Sequence, residues 1–202
     1  MAYRRTEQVQ ARLDAQRVRI IDAATELLAE QGYAGCSMVA VSARAGVASG
    51  TVYNHFAGKS DLVAEVFRTV VTREVEAVRA SVRAGDSATE RTIALIETFS
   101  SRAMKAPRLA YALLVEPVDP AVDALRLEFR IAFRDIAAAS IADGVTSGEL
   151  PPQDALVVAA ALVGAIGEAL VGPLAGATDP STIPTLVTFA LRSLGVSDAT
   201  HA

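Results

Sequence analysis

The chain has 202 residues, 51% of them hydrophobic, and a formal net charge of −4 at pH 7. This length and composition predict a globular protein with a packed core. Its one cysteine, Cys36, excludes an internal disulfide framework and a zinc site built on sulfur, and we interpret it as a small buried hydrophobe. The two histidines, His55 and His201, lie far apart, so we predict neither a histidine metal site nor a cofactor.

Charge is distributed unevenly along the chain. Residues 1–59 hold seven Arg or Lys residues against five acidic ones, a net charge of +2, whereas the remainder holds 12 against 18, a net charge of −6. A short, mildly basic head on an acidic body is typical of a DNA-binding protein. Many domains that do not bind DNA have a similar charge, so this pattern by itself does not assign a function.

Apolar residues recur at helical spacing throughout, and no stretch alternates convincingly between apolar and polar residues. We therefore predict an all-α fold of about nine helices. The first begins within 6–16 and runs to Gln31, and the others cover about 37–45, 49–54, 60–83, 87–104, 107–116, 120–142, 153–172 and 181–194. Gly32 and Gly46 are predicted to end the first two helices, and Ser37 and Ser60 to cap the second and the fourth.

The second and third predicted helices are short and are joined by only three residues, Gly46-Val47-Ala48. Two short helices joined in this way are typical of a helix-turn-helix. Gly46 permits a left-handed turn, and Val47 fills the angle between the helices. Gly50 and Thr51 keep the exposed face low enough to enter a major groove about 12 Å wide.

The stretch from Gly32 to Leu62, and above all the run Gly-Thr-Val-Tyr-Asn-His-Phe-Ala-Gly-Lys at 50–59, resembles the signature of the TetR family of bacterial transcriptional regulators. The resemblance covers about 50 residues, from Ile20 to about Phe67. It implies a helix-turn-helix DNA-binding domain at 1–59 and a helical effector-binding and dimerisation domain at 60–202. The implied protein is a homodimeric repressor that a small molecule releases from double-stranded operator DNA.

The resemblance also implies DNA-contacting residues. The phosphate-contacting positions would be Ser37, Tyr53, His55 and Lys59. The positions that face base edges would be Ser49, Gly50, Thr51 and Asn54. Arg44 would reach either the backbone or a guanine edge, and Arg4 and Arg5 would form either a groove-binding arm or a solvated tail. Two alternatives stay open, because His55 could be a buried structural histidine and Tyr53 could belong to the core.

Three positions depart from the family pattern. Cys36 stands where threonine is frequent, and Ala48 stands where a serine commonly caps the recognition helix. Since losing such a cap costs about 1 kcal/mol, we expect Ser49 to take over the capping role. Val39 offers no hydrogen bond at a position often used for base readout, although it could contact a thymine methyl group.

Residues 155–167 are apolar on every side of a helix. A membrane span needs about 20 apolar residues, and Glu168 interrupts this run, so we predict burial in a soluble protein. One face would pack on its own domain and the other on a second subunit, which makes 153–172 and 181–194 the dimer helices, as the resemblance also implies. Neither end carries an export signal, and we expect a cytoplasmic protein.

The middle helices contain candidates for the lining of an effector pocket. The apolar candidates are Phe99, Met104, Tyr111, Leu114, Leu125, Phe129 and Phe133, each of which could be core instead. Glu128 and Glu168 are carboxylates among apolar neighbours and are expected to face inward, where each needs a partner. Arg126, Arg130 and Arg134 form a stripe that we interpret as a solvated face rather than an anion site.

Three functional hypotheses follow from these observations. The first is the repressor released by a small molecule, and the second is a DNA-binding dimer without such a ligand, controlled by a protein partner. A closed, fully packed C-terminal core would favour the second. The third, an enzyme, lacks support because Cys36 lies in the head without a histidine partner and no phosphate-binding glycine loop is visible. We predict no catalytic residue.

Overall fold

A computed structural model describes residues 7–177 and 179–196, and every regular element in these ranges is a helix. In chain order the elements are α1 (Glu7–Gly35), α2 (Met38–Ala45), α3 (Ser49–His55), α4 (Lys59–Arg83), α5 (Ala88–Lys105), α6 (Pro107–Leu114), α7 (Pro120–Ser147), α8 (Ala155–Ala169), α9 (Val171–Leu174) and α10 (Thr182–Ser193). The all-α prediction is confirmed, with α9 as a single additional turn. Arg4, Arg5 and His201 lie outside the described residues.

The head consists of α2 and α3 packed on the second half of α1. Its core is made of side chains that are at most 2% exposed: Ile20, Leu28, Val41, Val52 and Phe56. Gly32 interrupts α1 with a φ of 68° and a ψ of −172°, so the regular helix ends at Gln31 as predicted. The head therefore has a small core of its own, which holds α3 in a defined orientation.

Two of the predicted caps are observed. The Ser37 hydroxyl accepts a hydrogen bond from the amide of Ala40 at 3.1 Å, which satisfies one of the free amides at the start of α2. Gly46 ends that helix in the left-handed conformation, with a φ of 65° and a ψ of 38°. The turn into α3 follows directly, so local sequence determines the helix-turn-helix geometry.

Two other capping predictions are wrong. α4 begins at Lys59, one residue earlier than expected, so Gly58 is its N-cap and Ser60 lies in the first turn. Ala48 is the N-cap of α3 without a side-chain hydrogen bond, and the Ser49 hydroxyl instead contacts the Ser42 hydroxyl at 3.0 Å. Ser49 therefore ties α3 to α2 rather than capping α3.

Replacing Ser37 with alanine is expected to lower the free energy of unfolding by about 1 kcal/mol, because the amide of Ala40 loses its acceptor. Urea denaturation measures this difference. Ser101→Ala is the matched control, since Ser101 is exposed in the middle of α5 and alanine is the better helix former. Equal stabilities of the two variants would contradict the capping role.

Helix α4 leaves the head and forms one wall of the body, where it packs against α5 and α7. Phe67 of α4 contacts Phe129 of α7, with ring centroids 5.5 Å apart. Glu149, which follows α7, is joined to the start of α5 at the far end of the body. Its carboxylate accepts hydrogen bonds from the amides of Ala88 and Thr89 at 2.7 and 2.8 Å. Helix α7 runs to Ser147, beyond the expected 142, because Gly148 rather than Gly144 ends it in a left-handed conformation.

The apolar helix α8 is buried on one face only within the single chain. Ala159, Leu162 and Ile166 are its buried residues, whereas Leu156 is 50% and Val157 is 63% exposed. By length and composition alone, Ala155–Leu174 could also cross a membrane, with a mean hydropathy of 2.2 and 22% of the window buried. The chain itself thus leaves a broad apolar face of α8 uncovered.

Candidate DNA-binding surface and effector cavity

Helix α3 presents a polar surface to solvent. Ser49, Gly50 and Asn54 are exposed, and Thr51 is half-buried, while Val52 turns into the core with no exposed surface. Nothing lies within 4 Å of a Cβ placed at Gly50. The outer face of α3 is therefore low and polar, as a helix that enters the major groove needs to be.

Large side chains flank this surface. Tyr53 is 56% exposed, so the alternative that it belongs to the core is wrong, and Val39 on α2 is 69% exposed. Ser37 is exposed at the start of α2, where free amides and the helix dipole favour an anion. Tyr53 near the end of α3 and Ser37 at the start of α2 therefore border the polar face of α3, as phosphate contacts would require.

The side chains of His55 and Lys59 have partners within the chain. The Nε2 of His55 lies 3.2 Å from the Oε1 of Gln16, and the Nζ of Lys59 lies 4.0 Å from the ring centroid of Tyr33. His55 is half-buried, so it is neither a core histidine nor a freely exposed one. His55 is the last residue of α3 and Lys59 is the first residue of α4, so both side chains lie at the edge of the head.

Arg44 is directed toward α1 rather than away from the head. Its guanidinium contacts Glu26 at 3.1 Å and Glu30 at 2.7 Å, and both carboxylates are more than half exposed. The hydrogen bonds that Arg44 donates to Glu30 and then to Glu26 raise the pKa of Arg44 above its ordinary value. A contact between Arg44 and DNA would replace exposed ion pairs, which contribute little to stability.

The body contains a cavity of about 260 Å³ between α4, α5, α7 and α8. Its walls are formed by Phe67, Val71, Leu95, Phe99, Leu114, Val115, Arg126, Phe129, Arg130, Phe133, Val163, Ile166, Gly167, Glu168 and Val171. Phe99 and Phe133 meet edge to face, with centroids 5.0 Å apart. An apolar, aromatic cavity with a few charged groups is typical of a small-molecule site.

The structure brings together five of the nine pocket candidates: Phe99, Leu114, Phe129, Phe133 and Glu168. Leu125 instead belongs to the core, at 6% exposed, and Met104 packs half-buried against it. Tyr111 lines a different groove, beside Glu30 and Gly32. Sequence reasoning missed Phe67 and Val71, because the apolar face of α4 does not reveal which helices pack against it.

Two expectations about charged residues on α7 are wrong. Glu128 is exposed and faces the outer groove between α4 and α7, because its neighbours Leu127 and Ile131 are themselves 61% and 39% exposed. Arg126 is not solvated, since its side chain is only 16% exposed and lines the cavity. Arg130 is exposed and also lines the cavity wall.

The interpretation of Cys36 as a buried hydrophobe is confirmed. Its side chain has no exposed surface, and burial raises the pKa of the thiol to about 11. A thiol with so high a pKa is protonated and unreactive at neutral pH. Among residues 7–177 and 179–196, no three His, Cys, Asp or Glu side chains are grouped in a way that could hold a metal ion.

The family model of bacterial regulatory proteins of the tetR family matches residues 20–66, which include α2 and α3. The fatty acid metabolism regulator protein of Bacillus subtilis is 32% identical over 79 residues, or 39% of this chain and 41% of that protein. The transcriptional activator FasR of Mycolicibacterium smegmatis is 31% identical over 86 residues, or 43% of this chain and 39% of that protein. The matched segment thus spans about two fifths of these relatives.

Similarity in three dimensions extends over the body as well. The crystal structure of the regulator FadR from Bacillus subtilis in complex with stearoyl-CoA superposes with a TM-score of 0.77. The superposition covers 89% of this chain and 98% of that chain, at 21% sequence identity, and therefore shows a shared fold. Residues 20–66, which include the helix-turn-helix, therefore match the tetR family of bacterial regulatory proteins, and the helical body shares the fold of solved regulators described as members of that family.

Proposed function

We propose that this protein is a cytoplasmic, homodimeric repressor that binds a near-palindromic operator and leaves it when a small molecule occupies the cavity. The observation that carries the proposal is the polar, exposed face of α3 on a head with its own buried core. Such a helix can enter the major groove without refolding. The cavity in the body supplies the place at which a second molecule alters this binding.

On the DNA side, the exposed face of α3 supports base contacts by Ser49, Gly50, Thr51 and Asn54. Ser37, Tyr53, His55 and Lys59 surround that face and would contact phosphates, which set the register of the head on the duplex. Arg44 would exchange its ion pairs with α1 for a phosphate or a guanine edge.

A second copy of the chain is proposed to cover the apolar face of α8. Leu156, Val157, Ala160, Ala161 and Gly164 are all exposed on that helix, and space around Gly164 is open. Phe189 of the neighbouring α10 is 51% exposed. Two copies related by a two-fold axis would bury both helices in a four-helix bundle and place two α3 helices about 34–36 Å apart, which is one turn of DNA.

The effector class is proposed from the lining of the cavity and from the relatives. The walls are mainly apolar, with Phe99 and Phe133 in edge contact, and they carry two arginines, Arg126 and Arg130, against one carboxylate, Glu168. An apolar chain with an anionic group satisfies both features. Since a neighbour in fold binds stearoyl-CoA, we propose a fatty acyl thioester. The cavity also favours this proposal over a ligand-free dimer, for which a closed core was expected.

A gel shift at fixed salt tests the proposal with purified protein and the DNA upstream of its own gene. Wild-type protein is expected to bind this DNA in preference to unrelated DNA, and Tyr53→Ala to lose roughly tenfold or more in affinity, because a DNA contact of about 1–3 kcal/mol disappears. Leu127→Ala is the matched control, since Leu127 is similarly exposed at 61% but lies on α7. Stearoyl-CoA is then added and is expected to release the DNA.

Two results would contradict parts of the proposal. Equal affinity of the wild type for specific and unrelated DNA would exclude an operator in the tested fragment and overturn the repressor assignment for it. A specific complex that persists while stearoyl-CoA saturates the protein would overturn release by this effector class. Tyr53→Phe separates the contribution of the hydroxyl from that of the ring.

A further inference from the structure

The segment that follows α6 touches both the cavity and the head. Leu114 and Val115 line the cavity, and the next residue, Glu116, accepts a hydrogen bond from the backbone amide of Tyr33 at 2.6 Å. Asp119 accepts a second hydrogen bond from the Tyr33 hydroxyl. We name residues 115–119 the coupling segment. One end of it borders the cavity, and Glu116 and Asp119 accept hydrogen bonds from Tyr33, which lies between the regular part of α1 and α2.

Tyr33 is held on several sides at this junction. A Cβ at Gly32 would lie 2.6 Å from the Oε1 of Glu116, so the close approach of the carboxylate requires glycine there. Burial, followed by the Asp119 carboxylate, raises the pKa of Tyr33 above its ordinary value, so its hydroxyl remains a donor. The ring lies under the Nζ of Lys59, the first residue of α4 and a proposed phosphate contact.

Arg126 holds the other end of the coupling segment. Its guanidinium donates to the carbonyl oxygens of Ala112 at 3.2 Å, Leu113 at 2.7 Å and Glu116 at 2.7 Å. These carbonyls belong to the end of α6 and the start of the coupling segment, where a helix leaves its carbonyls without internal partners. Because the same side chain lines the cavity, it connects the ligand site with the segment that grips Tyr33.

We propose that the coupling segment transmits effector binding to the DNA-binding head, with Arg126, Glu116 and Asp119 as its positioning residues. This inference rests on the proposed function. Arg126 also forms an ion pair with the exposed carboxylate of Asp123 at 3.0 Å. An anionic group in the cavity competes with the carbonyl oxygens for the guanidinium, because a hydrogen bond between two charged groups is stronger than one to a neutral carbonyl. The carbonyls then lose their donor and the segment loosens. Tyr33 is no longer held in place, and Lys59, which lies over its ring, loses the support that positions it at the DNA phosphates.

The same coupling must operate in reverse, because the free energy that links two binding sites is reciprocal. DNA that immobilises the head therefore stabilises the coupling segment, although this segment lies on the body. Hydrogen–deuterium exchange of the full-length protein, with and without the upstream DNA, measures this effect without any effector. We expect DNA to slow amide exchange in the peptide that covers residues 107–119.

Variants of the residues that join the coupling segment to the head make the test specific. Glu116→Ala combined with Tyr33→Phe removes both hydrogen bonds, so the slowing of exchange in 107–119 by DNA is expected to be lost. Glu116→Gln keeps an acceptor oxygen and is expected to retain it. Glu97→Ala is the matched control, since Glu97 is exposed on α5 and has no ion pair or hydrogen bond in the described part of the chain. Arg126→Gln is expected to speed exchange in 107–119 even without DNA.

The outcomes separate this inference from the proposed function. A specific DNA complex without slower exchange in 107–119 would overturn the coupling segment and leave the DNA-binding assignment intact. The same slowing in the wild type and in the double variant would also overturn it. No specific DNA complex at all would overturn the proposed function, and the inference with it.

Discussion

Ala161→Glu is expected to make the protein monomeric and to weaken operator binding by roughly a hundredfold or more, because two linked heads gain an avidity of about 10²–10⁴ over one head. Ala161 lies on the exposed apolar face of α8. The two-fold symmetry of a dimer would bring two new carboxylates into one apolar interface, where unpaired charges are costly. Sedimentation velocity measures the oligomeric state, and the gel shift measures DNA affinity.

The matched control for this variant is Ala80→Glu, which places the same side chain at an exposed alanine of α4. It should remain dimeric and retain wild-type affinity for DNA. If Ala161→Glu also sediments as a dimer, α8 does not form the interface, and another surface must cover its apolar face.

Phe67→Ala is expected to lower the free energy of unfolding by about 3–5 kcal/mol, the usual cost of truncating a buried phenylalanine. Phe67 is 1% exposed, and its ring packs 5.5 Å from that of Phe129. The loss combines the transfer free energy of the ring with the cost of enlarging a cavity that already adjoins this residue. Urea denaturation followed by circular dichroism measures it.

Phe67→Leu is the control for shape, because leucine keeps most of the apolar volume and should cost much less. Similar losses for the alanine and leucine variants would show that the aromatic contact with Phe129, rather than filled volume, is decisive. A loss below about 1 kcal/mol for Phe67→Ala would mean that the site collapses around the missing ring, contrary to the open cavity beside it.

In the head, local sequence is enough to predict most of the helix ends. Ser37 and Gly46 were correctly predicted as the caps of α2, and the short α3 was found within one residue of its observed end. Helix ends depend on residues three or four positions away, whose preferences are visible in the sequence. The wrong predictions for Ser49 and Ser60 are errors of one residue. A helix that starts one residue earlier than predicted has a different residue as its N-cap.

The orientation of side chains in the body was harder to predict. Glu128 is expected to face inward because residues around it on the helix are apolar, yet Leu127 and Ile131 beside it are exposed, and the cavity instead receives Phe129 and Phe133. Arg126 was interpreted as solvated, although it holds the end of α6. On a helix that is apolar on more than one face, periodicity does not show which face meets the core.

The sequence by itself determined the all-α class and the helix-turn-helix with its resemblance to the TetR family, since these depend on helical periodicity and on residues close together in the chain. Only the tertiary structure decided which helices enclose the cavity, where Arg44 and Arg126 point, and that Glu116 and Asp119 grip Tyr33 from 83 and 86 residues away. Such contacts depend on how whole helices pack. Many pairs of side chains could contact each other equally well as far as local sequence preferences are concerned. Which of them do so depends on the packing of the helices, and a short stretch of sequence does not show it.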